Sequence, residues 1–192
     1  KKVRFNLFFL NSFIYNYIYY NKFDNNLKIK LLLNILKYCS YNIMKIFIEG
    51  NIGSGKSTLI NYLKKELSIL VLPEPVEEWK SLTDNDNKNI LHYFYNDIKR
   101  WSYTFQMNAF ITRSKIIQEN KDKDFIMERS IYSDKNCFAI NCYENKLLTD
   151  IEWKLYNSWH EWLSTQFSLK EDAFIYLRTT PEIAYKRIKK RN

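Results

Sequence analysis

The chain has only three glycines in 192 residues, and they fall within six consecutive positions, at Gly50, Gly53 and Gly55. They belong to the stretch GNIGSGKST at 50–58, which fits the pattern G-x-x-x-x-G-K-[ST]. A short apolar segment at 45–49 precedes this stretch, and residues 56–67 carry their apolar side chains on one helical face. A strand, a glycine-rich loop and a helix in this order predict that backbone N–H groups of the loop enclose a phosphate group.

The phosphate loop, defined here as residues 50–58, is expected to bind a nucleotide through both backbone and side chains. Lys56 is predicted to reach the β- and γ-phosphates, and the hydroxyl of Ser57 to hold Mg²⁺. The candidate nucleotide-binding residues are all nine of the loop: Gly50, Asn51, Ile52, Gly53, Ser54, Gly55, Lys56, Ser57 and Thr58. The guanine-reading pattern Asn-Lys-x-Asp is not met, because the nearest match at 87–90 reads Asn-Lys-Asn-Ile.

The rest of the chain from Met44 alternates between strand-like and helix-like segments. Strands are predicted at 45–49, 69–72, 124–127 and 173–177, with helices between them. This order predicts an α/β fold of the P-loop NTPase type, in which helices cover both faces of a parallel sheet. One of these helices, at 149–166, begins with a capping box of Thr149 and Glu152. Its apolar stripe is predicted to pack in the core, and consists of Leu155, Trp159, Trp162 and Leu163.

Residues 1–43 read as a separate, basic extension of low complexity. They contain seven Lys or Arg and one acidic residue, and so carry +6 of the formal net charge of +9. Asn interrupts their apolar runs, which argues against a membrane span. The domain, and with it the translation start, is predicted to begin at Met44, so removing 1–43 should leave folding and activity intact. The remaining charge of +3 suits a small polyanion and does not indicate nucleic-acid binding.

The three cysteines indicate a reducing compartment. They are odd in number and lack the spacing of metal ligands. Free thiols are therefore expected, and the cytoplasm is the predicted location, with the mitochondrion as the alternative.

Two acidic clusters follow predicted strands at the edge where α/β proteins bind ligands. Glu74 lies directly after the second strand and is the candidate general base, with Glu77 and Glu78 as competitors for that role. Glu128 and Arg129 follow the third strand. The acid suits Mg²⁺ coordination, and the arginine suits stabilisation of charge on a transferring phosphoryl group.

Five motifs, taken together and in order, resemble the deoxynucleoside kinases. They are GNIGSGKST, EPVEEW from Glu74, WSYTFQ from Trp101, ERSIYSD from Glu128 and YLRTTPEIAYKRI from Tyr176. The resemblance runs from about Met44 to the end of the chain. It implies that ATP, with Mg²⁺, is the phosphate donor, that the 5′-hydroxyl of a deoxynucleoside is the acceptor, and that the protein is a homodimer.

The resemblance also implies roles for individual residues. Glu74 would be the base, Glu128 would hold Mg²⁺, and Arg129 would lie near the 5′-oxygen and the phosphate. The remaining contacts to the nucleoside would be Tyr95 to the 3′-hydroxyl, Gln106 to the base edge, Phe138 stacked on the base, and Trp79 and Phe105 as walls of the pocket.

Three further positions bear on the choice of base. Ala109, Arg113 and Asp134 resemble the deoxycytidine and deoxypurine kinases more than the thymidine-accepting members. A carboxylate at Asp134, oriented by Arg113, can accept a hydrogen bond from an exocyclic amino group, whereas thymine presents an acceptor and a methyl group there. Deoxycytidine or a deoxypurine is therefore expected to be preferred over thymidine.

The last residues match only the start of the family's arginine-bearing lid. Arg187 and Arg191 resemble its ATP-binding arginines, and the chain is expected to be truncated before the rest of the lid and the C-terminal elements. Two alternatives stay open. One is a thymidylate-type monophosphate kinase, and the other is a non-catalytic P-loop module that binds ATP.

Overall fold

A computed structural model describes residues 4–9, 44–167, 169 and 172–190. Its single sheet has five strands in the order β1-β5-β2-β4-β3. The strands are β1 (Arg4–Phe9), β2 (Lys45–Glu49), β3 (Leu70–Leu72), β4 (Phe125–Glu128) and β5 (Ala173–Arg178).

Four of these strands run parallel, as the sequence predicts. β2 lies between β4 and β5 and pairs in parallel with both, and β3 pairs in parallel with β4. All four residues of β4 are buried. Central parallel strands are covered on both faces, which is why β2 and β4 are nearly uninterrupted apolar runs in the sequence. The predicted α/β class with a parallel sheet is confirmed.

The helices lie between and after these strands. They are α1 (Lys56–Glu66), α2 (Val76–Ser81), α3 (Ile90–Asn96), α4 (Ile98–Glu119), α5 (Ile131–Ser133), a π-helix (Asp134–Ala139), α6 (Ile140–Glu144), α7 (Asp150–Gln166) and α8 (Pro181–Lys189). In the described part of the chain, no helix combines the length and the apolar character needed to cross a bilayer.

The chain divides into two compact units, each with its own core. Of the described residues, the sheet unit comprises those within 1–73, 122–129 and 171–192, and the helical unit comprises those within 74–121 and 130–170. In the sheet unit, apolar residues of α1 pack with those of β2, β3, β4 and β5, for example Leu63 with Ile48 and Ile126. In the helical unit, Trp79 of α2 packs with Ile90 and Ala109.

β1 extends the sheet beyond its parallel part. Arg4–Phe9 pairs antiparallel with β5 along its whole length, from Arg4 opposite Arg178 to Phe9 opposite Ala173. The sequence reading had set residues 1–43 apart from the fold, so this pairing is the one element of that segment that the structure adds. The other residues of 1–43 lie outside the described ranges, and the prediction for the segment as a whole stays a prediction.

The apolar stripe of α7 does not pack in the core of the chain. The predicted capping box is present, since Thr149 Oγ1 accepts from the backbone N–H of Glu152 while the Glu152 side chain accepts from that of Thr149. Leu155, Trp159 and Trp162 are exposed, however, and the residues that α7 buries are Tyr156 and His160. Leu163, the fourth residue of the stripe, is half-buried. The prediction of core packing was wrong for the three exposed residues, because helical periodicity identifies an apolar face but not what covers it.

Candidate active site

The phosphate loop connects β2 to α1 in the sheet unit. The backbone N–H of Ser54 donates to Asn51 O at 3.0 Å and closes the turn. Gly53 has a φ of 77°, in the left-handed region that a side chain would strain. Gly55 is the N-cap residue of α1. Ile52, Ser57 and Thr58 are exposed along the loop and the first turn, whereas Gly53 and Ser54 are buried.

Lys56 is buried within this loop. Its Nζ donates to Gly50 O at 3.0 Å and to Asn51 O at 3.1 Å. The ammonium group is therefore held on the loop by backbone carbonyl groups rather than projecting into solvent. A cation at this place, together with the N-terminal N–H groups of α1, makes the loop suited to an anion.

Ser57 and Glu128 form the pair expected for a magnesium site. Ser57 Oγ donates to Glu128 Oε1 at 3.1 Å, and Glu128 is buried at the end of β4. Neighbouring ligands of an octahedral Mg²⁺ lie about 3 Å apart, because each Mg–O distance is about 2.1 Å. The two oxygens thus fit such an ion. Among the described residues, no group of three or more His, Cys, Asp or Glu could hold a metal, and Mg²⁺ usually needs only one or two protein ligands beside phosphate oxygens.

Arg129 follows Glu128 in a constrained backbone conformation. Its φ is 66°, its backbone N–H donates to Ile48 O at 3.0 Å, and its side chain is buried. A positive φ at a non-glycine residue costs of order 1–3 kcal/mol and tends to persist at functional sites. The backbone hydrogen bond to β2 fixes where the arginine leaves the strand.

Of the two arginines that resemble lid arginines, the structure describes Arg187. Arg187 of α8 contacts the phosphate loop itself, since its Nη1 donates to Gly53 O at 3.1 Å and to Ser54 O at 2.8 Å. Arg191 lies outside the described residues.

A carboxylate–guanidinium–carboxylate cluster forms in the helical unit. Arg113 Nε donates to Asp134 Oδ2 at 2.8 Å, and Arg113 Nη2 donates to Glu74 Oε1 at 3.2 Å. The side chains of Arg113 and Asp134 are 1% and 3% exposed, and that of Glu74 is 26% exposed. Glu74 is therefore the only member of this cluster that solvent reaches to any extent.

Side-chain contacts and exposure distinguish Glu74 from Glu77 and Glu78, the other two candidates for the general base. Glu77 is bound to Lys80 at 2.9 Å, and its side chain is 86% exposed. Glu78 is exposed as well. Of the three acids that the sequence left open, Glu74 is the one that the structure brings to Arg113.

One face of α4 carries the three residues predicted to read the base. Gln106, Ala109 and Arg113 are spaced by three and four residues, which places them on the same side of a helix, and all three are buried. Gln106 Nε2 lies 3.8 Å from Cys142 Sγ, so the thiol on α6 contributes to orienting the amide. Burial raises the pKa of the Cys142 thiol, which keeps it neutral and able to accept this contact.

The predicted aromatic residues cluster in part. Trp79 and Phe105 meet edge to face with ring centroids 5.3 Å apart, and Trp79 Nε1 donates to Thr112 Oγ1 at 2.9 Å. Phe105 also stacks on Phe94, whose ring lies 5.3 Å from that of Tyr95. Tyr95 is largely exposed on α3.

Phe138 lies on the π-helix, four residues after Asp134. The π-helix packs against α4, so it positions Asp134 opposite Arg113. Residues 131–144 are helical throughout, but the middle part has the wider hydrogen-bonding pattern that often occurs at functional sites.

The surroundings of Asp134 include a second buried group that stays neutral. Tyr156 of α7 is fully buried, and its phenol pKa is raised strongly by burial and, to a lesser extent, by the negative charge of Asp134. The neutral Tyr156 phenol therefore adds no charge to those of Asp134 and Arg113.

Three residues that the sequence prediction did not include contact predicted site residues. Thr112 anchors Trp79, Cys142 contacts Gln106, and Thr179 Oγ1 donates to Ser54 O at 3.2 Å. Thr112 and Cys142 look like ordinary helix residues, and no local pattern marks them. Thr179 stands at the end of β5, the kind of position that could have signalled a role beside the loop.

Comparisons with known proteins identify the family of this chain. Residues 46–192 match the sequence model of the family described as deoxynucleoside kinase. A protein described as "Probable deoxycytidine kinase" from Fowlpox virus (strain NVSL) is 41% identical over 162 residues, which cover 81% of this chain. Deoxycytidine kinase of Mus musculus is 39% identical over 169 residues, 76% of this chain. The mitochondrial deoxyguanosine kinase of Xenopus laevis is 36% identical over 172 residues, 78% of this chain.

The matched region does not span these relatives completely. It covers 66%, 65% and 64% of their respective lengths. Their names identify kinases of deoxycytidine or deoxyguanosine, and this chain is similar to them over most of its own length.

Proposed function

Because this chain belongs to the deoxynucleoside kinase family, we propose that it transfers the γ-phosphate of ATP to the 5′-hydroxyl of a deoxynucleoside in nucleotide salvage. The observation that carries the proposal is the bond from Arg113 to both Glu74 and Asp134. One guanidinium holds a carboxylate suited to proton transfer and another suited to recognising a base. A P-loop module that merely binds ATP has no need of this cluster.

Glu74 acts as the general base. Its Oε1 is engaged by Arg113 Nη2, which fixes the orientation of the carboxylate. Glu74 takes the proton of the 5′-hydroxyl as the bond from that oxygen to the γ-phosphorus forms and the bond to the β-phosphate oxygen breaks. A buried arginine beside the base keeps it in place between turnovers without a rearrangement of the side chain.

The sheet unit supplies the groups that bind and stabilise the phosphates. The phosphate loop and Lys56 bind the β- and γ-phosphates, and Arg129 stabilises negative charge on the transferring group. Ser57 and Glu128 hold Mg²⁺, which when bound neutralises charge on the phosphate oxygens. Their separation of 3.1 Å supports this assignment.

The preferred acceptor is a nucleoside whose base carries an exocyclic amino group. The carboxyl oxygen Oδ2 of Asp134 accepts from Arg113 Nε, and the carboxylate presents further acceptor sites to a base. Cytosine and adenine can donate to it, whereas the O4 of thymine would leave two acceptors facing each other in a buried place. Tyr95, Gln106, Ala109 and Phe138, with Trp79 and Phe105, complete the contacts to the sugar and base.

The functional unit is a homodimer formed through α7. Trp159 and Trp162 are 48% and 51% exposed, and Ile151 and Leu155 lie exposed on the same helical face. A continuous exposed apolar patch is typical of an interaction site. A second copy of the chain would bury the same face symmetrically, as two-fold interfaces do.

The compartment is a reducing one, with the cytoplasm favoured and the mitochondrion as alternative. Cys137 and Cys142 are free thiols, which supports this assignment because disulfides are rare in such compartments.

The test is phosphate transfer from γ-labelled ATP to deoxycytidine, deoxyadenosine, deoxyguanosine and thymidine, measured side by side with Mg²⁺. The expected result is a higher kcat/KM for the nucleosides with amino-bearing bases. A higher value for thymidine would keep the reaction and overturn the role of Asp134 in base choice. Absence of transfer to all four, with ATP binding intact, would overturn the proposed function for this chain. A parallel assay with thymidine monophosphate tests the alternative acceptor class.

A further inference from the structure

The phosphate loop is held from outside by Thr179, which follows β5, and by Arg187 of α8. Ser54 O accepts two hydrogen bonds, one from Thr179 Oγ1 at 3.2 Å and one from Arg187 Nη1 at 2.8 Å. The same nitrogen of Arg187 donates to Gly53 O at 3.1 Å. The carbonyl groups of Gly53 and Ser54 are thus both bonded to side chains within residues 179–187.

Backbone atoms of β5 and α8 also limit the space around the loop. A Cβ atom on Gly53 would lie 2.5 Å from Ala184 O, and one on Gly50 would lie 2.7 Å from Leu177 O. Real Cβ atoms do not approach backbone oxygens so closely, so both glycines are required by contact as well as by their positive φ. The backbone of β5 and α8 is therefore packed directly against the loop.

Fixing these two carbonyl groups also fixes two N–H groups. In a trans peptide the C=O of one residue and the N–H of the next point in opposite directions in one plane. The Gly53 carbonyl therefore orients the N–H of Ser54, which closes the turn on Asn51 O. The Ser54 carbonyl orients the N–H of Gly55, at the start of α1. A charged donor on the carbonyl side also polarises these peptide groups and makes their N–H groups better donors.

We infer that Arg187 is a positioning residue that holds the phosphate loop in its anion-binding conformation before any nucleotide arrives. It acts through the carbonyl groups of Gly53 and Ser54, with Thr179 as a second, weaker support. This role differs from that of an arginine whose contacts are to ATP itself. The inference rests on the proposed function only in that the loop concerned is the one assigned to ATP.

The test is hydrogen–deuterium exchange of the loop in the nucleotide-free protein. In Arg187→Met, amide exchange in peptides covering 50–58 should increase about tenfold or more, because a hydrogen bond with a charged partner is lost at two carbonyl groups. Exchange within α4 serves as the internal reference for intact folding. Lys186→Met, which removes an exposed cation from the same helix, is the matched control and should leave loop exchange unchanged.

Two further variants distinguish the loss of loop support from a general folding defect. Arg187→Lys retains a charged donor and should restore part of the protection. Thr179→Val removes one of the two donors to Ser54 O and should produce a smaller increase in exchange of the same peptides. If Arg187→Met does not fold, the Thr179→Val result decides, and unchanged loop exchange in that variant would overturn the inference.

Saturating ATP distinguishes positioning from direct contact with the nucleotide. For a positioning residue, the excess exchange of Arg187→Met is present without ATP and decreases when ATP orders the loop. A direct ATP ligand gives the opposite result, with equal exchange in the two proteins until ATP is added, and this outcome would overturn the inference. Neither readout depends on phosphate transfer, so failure of the proposed function is seen separately in the transfer assay.

Discussion

Arg113 and Asp134 form an ion pair of 2.8 Å whose side chains are 1% and 3% exposed. Removing the charge of Asp134 takes away the buried partner of Arg113 and leaves Glu74, whose side chain is 26% exposed, as the carboxylate bonded to it. Breaking a buried pair in this way usually costs more stability than the intact pair provides. We therefore expect Asp134→Asn to lower the free energy of unfolding by on the order of 3 kcal/mol. Urea titration followed by tryptophan fluorescence measures this change.

The matched control is the double variant Arg113→Met with Asp134→Asn. It removes both charges of the buried pair at once, and the carboxylate that loses its bond to Arg113, Glu74, is partly exposed, so the double variant should recover part of the lost stability. A double variant less stable than Asp134→Asn would contradict this account, and so would a single variant as stable as the parent.

Glu74→Gln should abolish most turnover while leaving ATP binding in place. Gln keeps the shape of Glu and can still bond to Arg113, but it cannot accept a proton, and loss of a general base typically reduces kcat by about 10²–10⁴-fold. Initial rates with deoxycytidine measure the first effect, and calorimetric titration with ATP measures the second.

Glu77→Gln is the control for this substitution. Glu77 is separated from Glu74 by two residues but is exposed and paired with Lys80, so its loss should leave kcat close to the parent value. If Glu77→Gln were the inactive variant, the assignment of the base would be wrong.

Glu128→Gln should raise the Mg²⁺ concentration that gives half-maximal activity. The substitution removes the negative charge that Ser57 Oγ contacts at 3.1 Å, and even indirect changes at metal sites cost about 10–100-fold in affinity. A magnesium titration of initial rate at fixed ATP measures the effect. Asp122→Asn, an exposed acid just before β4, should leave the titration unchanged, and an equal shift in both variants would point to general electrostatics.

Trp159→Glu should convert a dimer into a monomer. A charge placed in the centre of the exposed apolar face of α7 would be buried without a partner in the interface. Sedimentation velocity over a range of protein concentrations measures the change in mass. Tyr185→Glu replaces another exposed aromatic residue by an acid, on α8, and should leave the mass unaltered. A parent protein that sediments as a monomer would exclude this dimer.

The stability of the chain should decrease in mild acid because of His160. This side chain is buried, stacks on Phe110 with ring centroids 4.8 Å apart, and has Nε2 3.3 Å from Ile131 O. Burial lowers its pKa below the ordinary 6.5, the contact with Ile131 O opposes this, and the charge of Lys135 adds to it. The folded state therefore binds the proton less readily than the unfolded chain does.

The sign of the effect follows from linkage. The contribution of neutral His160 to stability is complete above pH 6.5, and it is lost as the pH falls below that value because the unfolded chain then takes up the proton. The free energy of unfolding should fall by at most about 1.4 kcal/mol per pH unit from this group. Urea titrations between pH 7.5 and about 5 lie above the range in which ordinary carboxyl groups titrate. His160→Phe should flatten this dependence, and an unchanged slope would assign it to other groups.

The sequence predicts the phosphate loop and the parallel strands because both depend on local rules. Closely spaced glycines before a helix permit only a narrow set of backbone conformations, and strands buried on both faces must be apolar. The positions of Glu74 after β3 and of Glu128 at the end of β4 follow from the predicted strands.

Contacts between distant helices are not encoded in local spacing. The pairing of Arg113 with Asp134 was expected through the family resemblance, and its link to Glu74 was not foreseen. The stripe of α7 illustrates the same limit, since Trp159 is apolar and periodic yet exposed. The π-helix at Asp134–Ala139 cannot be distinguished from an α-helix in the sequence, because one widened turn leaves the apolar periodicity almost unchanged.

The strand order has a consequence for the timing of folding during synthesis. Met44, at the start of β2, bonds to Asp124, 80 residues later, and Lys45 bonds to Asp172, 127 residues later. The central strand thus leaves the ribosome long before either neighbour exists, and contacts so distant in sequence form slowly. The phosphate loop follows β2 and packs against β5 and α8, so its support depends on contacts that form late. Nascent chains that stop before β5 would carry the complete loop sequence without the backbone support that shapes it, and they would expose apolar strand surface of the kind that chaperones recognise.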